Sequence, residues 1–174
     1  WMYNNSIDNL HNNSYYCTTV IDQGFNVGFY VDDTGHANCF AYNTSNEQRF
    51  LGFAGKVALT KSGRIYVVDT VTHEIYYWNK NSLGFNPEGK IDFQFSYIQD
   101  ICCDENNNLF ILDINEKRIY KYSTTLNNFI NFPQTDSYYT SYYHKSSSSW
   151  GRACGMAASR GNIFIIFRHS AILK

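Results

Sequence analysis

The sequence contains two segments that share one pattern, in one register, 44 residues apart. The first is GRIYVVDTVTHEIYYW, residues 63–78, and the second is NNLFILDINEKRIYKY, residues 107–122. A register kept along this whole length indicates an internal structural repeat. The matching pairs are Val57 and Ile101, Ile65 and Leu109, Tyr66 and Phe110, Val67 and Ile111, Val68 and Leu112, Asp69 and Asp113, Ile75 and Ile119, Tyr76 and Tyr120, and Trp78 and Tyr122.

Each copy is predicted to fold as strand, tight turn, strand, short turn, strand. A short apolar run precedes each segment, KVALT in the first and IQDICC in the second, and a turn signal, KSG or DENNN, closes it. The runs IYVV and LFIL are apolar at every position, which is typical of a strand covered on both faces. The repeat therefore predicts small antiparallel sheets that stack on one another.

Two weaker copies flank these segments, GFYVDDTGHANCFAY before them and GMAASRGNIFIIF after them. In the last copy Phe167 replaces the strand-end aspartate. We expect one domain over residues 1–174, with repeats at approximately 15–53, 54–97, 98–134 and 150–174. The last repeat is incomplete, and residues 135–149 form an inserted Tyr/Ser-rich loop.

A meander of three or four strands with a period near 40 residues is typical of a β-propeller blade. The predicted fold class is therefore all-β, a β-propeller with four recognisable blade repeats. Two arrangements of the blades fit the sequence. In a four-bladed ring, the early segment SYYCTTVID supplies the outer strand that the last blade lacks, which hides free edges. In the favoured alternative, the chain is part of a larger propeller.

The first copy resembles the NHL-type propeller repeat, whose pattern is roughly Gly-x-[Ile/Leu]-Tyr-Val-x-Asp-Thr-x-x-His-x-Ile. The residues that match are Gly63, Ile65, Tyr66, Val67, Asp69, Thr70, His73 and Ile75. The second copy keeps Leu109, Phe110, Asp113 and Ile119, and has Lys117 at the histidine position. The resemblance implies a propeller but no single activity, because such propellers serve as scaffolds, RNA readers, ligand sensors and lyases.

Charge and composition limit the classes of partner that we expect. The net charge is −1, with Lys+Arg 14 against Asp+Glu 15 and no basic run, which disfavours nucleic acid. No stretch approaches 18 apolar residues, so we expect no membrane insertion. The five Cys have no recognisable spacing, which leaves the disulfide state open. The compartment is also undetermined, with an extracellular or surface location favoured over the cytoplasm.

Recurrence of Asp69 and Asp113 in repeat register favours a structural role, in which a strand-end carboxylate accepts N–H bonds from the following turn. His73 lies in the same turn and receives the same interpretation. The stretches DDTGH and DENNN lack the ligand spacing of a calcium loop and are predicted to be hairpin turns. We predict no catalytic residue, no metal ligand and no cofactor.

The inserted loop is the predicted ligand site, because loops on a rigid scaffold often carry binding. Flat aromatic side chains and adaptable Ser hydroxyls suit contacts with proteins and sugar rings. The candidate residues are Tyr138, Tyr139, Tyr142, Tyr143, His144 and Trp150. The alternative is a Ser-rich linker whose tyrosines pack on their own blade.

The sequence thus favours a non-catalytic binding or scaffold module that engages a protein or a glycan through its blade loops. Two alternatives remain. One is a propeller-type lyase or hydrolase with an axial metal site, to which loops could bring the dispersed histidines. The other is a structural subunit that assembles with further propeller blades or subunits.

Overall fold

The computed structural model describes residues 3–4, 18–22, 27–32, 34, 36–132, 153–167 and 171–173. All regular structure in these ranges is β-strand, arranged in small antiparallel sheets. The all-β prediction is confirmed. The described ranges contain no helix of the length and hydropathy needed to cross a membrane.

The first sheet has four strands in chain order: β1 (Tyr3–Asn4), β2 (Thr18–Asp22), β3 (Val27–Val31) and β4 (Ala37–Phe40). A separate hairpin follows, formed by β5 (Tyr42–Asn43) and β6 (Gln48–Arg49).

The second sheet contains β7 (Ala54–Leu59), β8 (Arg64–Asp69), β9 (Glu74–Asn79) and β10 (Gly89–Lys90), with β7 and β10 at its edges. Residues 65–69 of β8 are all buried, as expected for a strand covered on both faces.

The third sheet contains β11 (Ile98–Cys103), β12 (Asn108–Asp113), β13 (Arg118–Ser123) and β14 (Asn128–Ile130). Its first three strands begin and end 44 residues after those of the second sheet. This confirms the predicted strand–turn–strand–turn–strand unit. The fourth strands, β10 and β14, do not keep the spacing.

The fourth sheet has three described strands: β15 (Ala153–Ser159), β16 (Asn162–Phe167) and β17 (Ala171–Leu173). β2 pairs with β1 on one side and with β3 on the other. Because both of its edges are occupied, this early segment is an inner strand of the first sheet. The alternative in which it completes the last blade is therefore wrong.

The chain divides into two compact units, residues 1–94 and 95–174. In the first unit, the rings of Phe40 and Trp78 pack at a centroid distance of 5.2 Å. Gly28 lies under Phe40, where a Cβ would come within 2.2 Å of the ring. One hydrophobic cluster of the second unit joins β12, β13, β15 and β16, and its buried members are Phe110, Leu112, Ile119, Ala153, Met156 and Ile165.

Six hairpin turns in the described residues have four residues, and in all six the fourth residue has a positive φ. These fourth residues are Glu47, Gly63, His73, Asn107, Lys117 and Asn127, with φ between 49° and 91°. This left-handed conformation reverses the chain but costs free energy for any residue with a Cβ. The fourth residue of each turn therefore adopts the same left-handed backbone conformation, although the side chains of the turns are unrelated.

Candidate functional site

The inserted loop lies outside the described residues. This holds for Tyr138, Tyr139, Tyr142, Tyr143, His144 and Trp150, so the prediction of a ligand site there stays a prediction. The described part of the chain contains another feature that repeats in both units, which is centred on the two strand-end aspartates.

Asp69 lies at the end of β8 and is 3% exposed. Its Oδ1 accepts the backbone N–H of Val71 at 2.9 Å, together with longer bonds from Thr72 and Phe53 at 3.4 Å. Its Oδ2 accepts the N–H of Gly52 at 2.7 Å. One carboxylate therefore joins the turn that follows its own strand to the segment that leads into β7.

Asp113 repeats this arrangement at the end of β12 and is fully buried. Its Oδ1 accepts the N–H groups of Asn115 and Glu116 at 3.1 Å and of Tyr97 at 3.2 Å. Its Oδ2 accepts the N–H of Ser96 at 2.7 Å. Charge-assisted bonds of this kind are about twice as strong as neutral ones, so both segments are firmly held.

We call this end of each sheet the carboxylate end, comprising residues 52–53 and 70–73 in the first unit and 96–97 and 114–117 in the second. A further backbone bond closes each pair of segments: Thr70 donates to the Phe53 carbonyl at 2.9 Å, and Ile114 donates to the Tyr97 carbonyl at 3.1 Å. The turns at 104–107 and 124–127 lie at the opposite end of the third sheet, joined by the bond from Thr124 N–H to the Asn107 carbonyl.

Apolar and aromatic side chains are exposed at the carboxylate ends although the backbone that carries them is fixed. Phe53 is 45% exposed and Tyr97 is 43% exposed, at positions 44 residues apart. Val71, in the turn that follows β8, is 68% exposed. In the second unit its counterpart Asn115 and the next residue, Glu116, are exposed and polar. The two ends therefore share a backbone and differ in surface chemistry.

His73 and Lys117 occupy the left-handed position of the two turns, with φ of 57° and 53°. Both residues are placed by the turn that the aspartate organises. The structure thus brings Asp69 and His73 into one turn, and Asp113 and Lys117 into its counterpart.

The two stretches that superficially resemble calcium loops form hairpin turns. The Asp32 carboxylate accepts the Thr34 hydroxyl at 2.7 Å and the His36 N–H at 2.9 Å, and these bonds lower the pKa of Asp32. The Asp104 carboxylate accepts both the backbone and the side-chain N–H of Asn108 at 2.8 Å. Among the described residues, no group of three or more His, Cys, Asp or Glu side chains lies close enough to hold a metal ion.

Sequence reasoning missed the contact between the third and fourth sheets. The Oδ2 of Asp100 accepts the N–H of Met156 at 2.7 Å, and the carboxylate of Glu105 accepts the N–H of Arg160 at 3.1 Å. A β-bulge lies at the start of β11 and another at the start of β15. Bulges re-aim side chains, which brings Asp100 towards β15, but no local sequence signal marks this pairing.

The described residues Cys39, Cys102, Cys103 and Cys154 form no disulfide with one another. Burial raises the pKa of the Cys102 thiol well above its usual value, and Cys103, Asp100 and Asp104 raise it further. Burial also raises the pKa of Cys39. Because the thiolate is the reactive form, neither group is activated as a nucleophile.

Comparison with known proteins shows a similarity in fold to a solved structure. No family model matches the chain, and no curated protein matches it either. The chain is similar in structure to a luciferin-regenerating enzyme, with a TM-score of 0.50 and 13% sequence identity. The match covers 80% of this chain and 43% of that chain, so this chain spans less than half of the enzyme's length.

Proposed function

We propose that this chain is a non-catalytic binding module built from NHL-like β-propeller blades, as part of a larger propeller. Its ligand, a protein or a glycan, contacts the loops at the carboxylate ends of the sheets. In this proposal the Tyr/Ser-rich residues of the inserted loop at 135–149 are a further candidate contact for the ligand.

Two features support the propeller part of the proposal. The first three strands of the second sheet recur 44 residues later as the first three strands of the third sheet, as expected for consecutive blades. The fold also matches 43% of the length of a longer solved chain, as expected if this chain is part of a larger propeller. In a stack of blades, each sheet buries a face that it could not bury alone.

The observation that carries the binding part is the pairing of exposed aromatic side chains with a fixed backbone. Phe53 and Tyr97 are more than 40% exposed, yet each donates its N–H to a buried carboxylate. Exposed aromatic side chains on a pre-organised backbone bind well, because little conformational freedom is lost on association.

Site-specific photo-crosslinking tests the proposal. A benzophenone amino acid is placed at position 53, at position 97, or at the control position 126. Leu126 is 72% exposed and lies at the opposite end of the third sheet, so it reports non-specific contact. The full chain is exposed to an extract of its source and, in parallel, to an oligosaccharide array.

We expect one partner to crosslink at position 53 or 97 and not at 126, or one glycan class to bind on the array. The purified partner or glycan should then bind the chain about tenfold more weakly after Phe53→Ala or Tyr97→Ala and unchanged after Leu126→Ala. Crosslinks at 126 alone, or no crosslink together with an empty array, would overturn the proposal.

The propeller-type lyase or hydrolase and the structural subunit stay alternative predictions. Loss of a measured activity or of bound metal after replacement of His36 and His73 would favour the enzyme. Self-association that weakens on dilution would favour the subunit. RNA binding would require an affinity that falls steeply with salt.

A further inference from the structure

The carboxylate end of the second unit gathers the backbone N–H groups of three residues around one oxygen atom. The backbone nitrogens of Tyr97, Asn115 and Glu116 each lie 3.1–3.2 Å from Oδ1 of Asp113. The three nitrogens are therefore within about 6 Å of one another. Their side chains start from one small area whose backbone is fixed.

These side chains offer complementary groups to the solvent. Tyr97 is 43% exposed, and Asn115 and Glu116 are exposed. Within the described part of the chain, the side chains of Asn115 and Glu116 make no hydrogen bond or ion pair. The area therefore combines an aromatic ring, an amide that both donates and accepts, and a carboxylate that accepts two hydroxyl groups.

We propose, resting on the proposed function, that Tyr97, Asn115 and Glu116 form a subsite for an uncharged saccharide. A sugar ring has an apolar C–H face that stacks on an aromatic ring, and hydroxyl groups at its edge that bond to an amide and a carboxylate. An apolar protein surface suits this area less, because it would bury the carboxylate of Glu116 and the amide of Asn115 without partners.

The first unit contains the matched comparison. Phe53, Val71 and Thr72 occupy the equivalent positions around Asp69, with the same set of backbone bonds. Phe53 lacks the phenol hydroxyl, Val71 lacks the amide and Thr72 lacks the carboxylate. The first unit therefore provides an aromatic face without the hydrogen-bonding edge, and it is not a saccharide subsite.

This comparison supplies replacements that the backbone already tolerates. Asn115→Val and Glu116→Thr give the second unit the side chains of the first, on a turn of the same length and conformation. Tyr97→Phe removes the hydroxyl and keeps the ring, whereas Tyr97→Ala removes both. Leu126→Ala is the control at the opposite end of the sheet.

Saturation-transfer NMR with the full chain tests the subsite, using methyl glycosides of glucose, galactose, mannose, fucose and N-acetylglucosamine. We expect at least one glycoside to bind. Asn115→Val and Glu116→Thr should each weaken binding about tenfold, because each removes hydrogen bonds made only to the sugar. Tyr97→Ala should abolish binding, and Leu126→Ala should leave it unchanged. Thermal melting of each variant verifies that it is folded.

Two results would overturn the subsite: no glycoside binds the unchanged chain, or binding survives the double variant Asn115→Val, Glu116→Thr. If the subsite fails but position 53 or 97 crosslinks to a protein partner, the proposed function stands and its ligand is a protein. If no glycoside binds, no crosslink is found and the oligosaccharide array is empty, both proposals fail.

Discussion

Oδ1 of Asp113 accepts the backbone N–H of Tyr97 at 3.2 Å, across a sequence separation of 16 residues. The same bond links Asp69 to Phe53 in the preceding repeat. In each repeat, a buried carboxylate therefore accepts a hydrogen bond from the backbone of an exposed aromatic residue. The carboxylate fixes the position of that backbone, and the aromatic ring extends from it into solvent.

Replacement of the carboxylate should destabilise the fold. Asp113→Ala leaves four backbone N–H groups without their acceptor at a buried position, and we expect a loss of about 3 kcal/mol or more in the free energy of unfolding. Asp113→Asn should lose less, since one carbonyl oxygen remains. Urea denaturation measures both. Asp92→Ala, at an exposed carboxylate, should stay within about 0.5 kcal/mol, and an equal loss there would contradict the account.

A side chain at Gly63 should destabilise the fold. Its φ is +91°, and a Cβ would lie 2.6 Å from the Lys80 side chain. We expect Gly63→Ala to cost about 1–2 kcal/mol in thermal or urea unfolding. Gly84→Ala is the matched control, because nothing lies within 4 Å of its Cβ position. Equal effects of the two substitutions would show that the left-handed turn is not required.

Gly28 should be required by the ring of Phe40. A Cβ on Gly28 would come within 2.2 Å of that ring, and we expect Gly28→Ala to cost about 1–3 kcal/mol. Phe40→Leu frees space, so the double variant should lose less than the sum of the two single variants. A double-mutant cycle measured by urea unfolding gives this coupling. Strict additivity would mean that the two residues do not meet.

Alkaline pH should remove the contribution of Tyr76 to the free energy of unfolding. Burial, with the hydrogen bond to Glu74, raises the pKa of Tyr76 from 10.0 to about 12. Because the folded-state pKa lies above the unfolded value, the contribution is complete below pH 10 and is lost as the pH rises towards 12. The stability difference between the unchanged chain and Tyr76→Phe should therefore shrink over this range.

The control for this titration is Glu74→Gln, which removes the charge that opposes ionisation of the phenol. Absorbance of the phenolate should show Tyr76 ionising at a lower pH in this variant. A stability difference that stays constant to pH 12 would contradict the assignment.

The sequence was sufficient to predict the repeated unit. Strand positions follow from short apolar runs and turn residues, and the 44-residue register placed β7–β9 and β11–β13 without further information. The outer strands β10 and β14 were harder to predict from the sequence, because they are short and depart from that register.

The contacts that fix the candidate site depend on tertiary packing. Asp113 is recognisable from its recurrence, but its bonds to Ser96 and Tyr97 reach a segment 16–17 residues earlier, where no local pattern announces them. The hydrogen bond from Met156 to Asp100 joins residues 56 positions apart, and no sequence pattern predicts it either. Turn chemistry is local, whereas these long-range bonds exist only once the sheets have formed.

Amide hydrogen exchange measured by NMR tests the central claim most directly. If the buried carboxylate fixes the backbone of Tyr97, the Tyr97 amide should exchange slowly although its side chain is exposed, at a rate close to that of Ile111 in β12, the buried strand that is paired on both sides. Asp113→Leu or Asp113→Ala, in any variant that remains folded, should accelerate exchange at Ser96 and Tyr97 more than at Ile111. Exchange at Tyr97 as fast as in an unfolded chain would contradict the account.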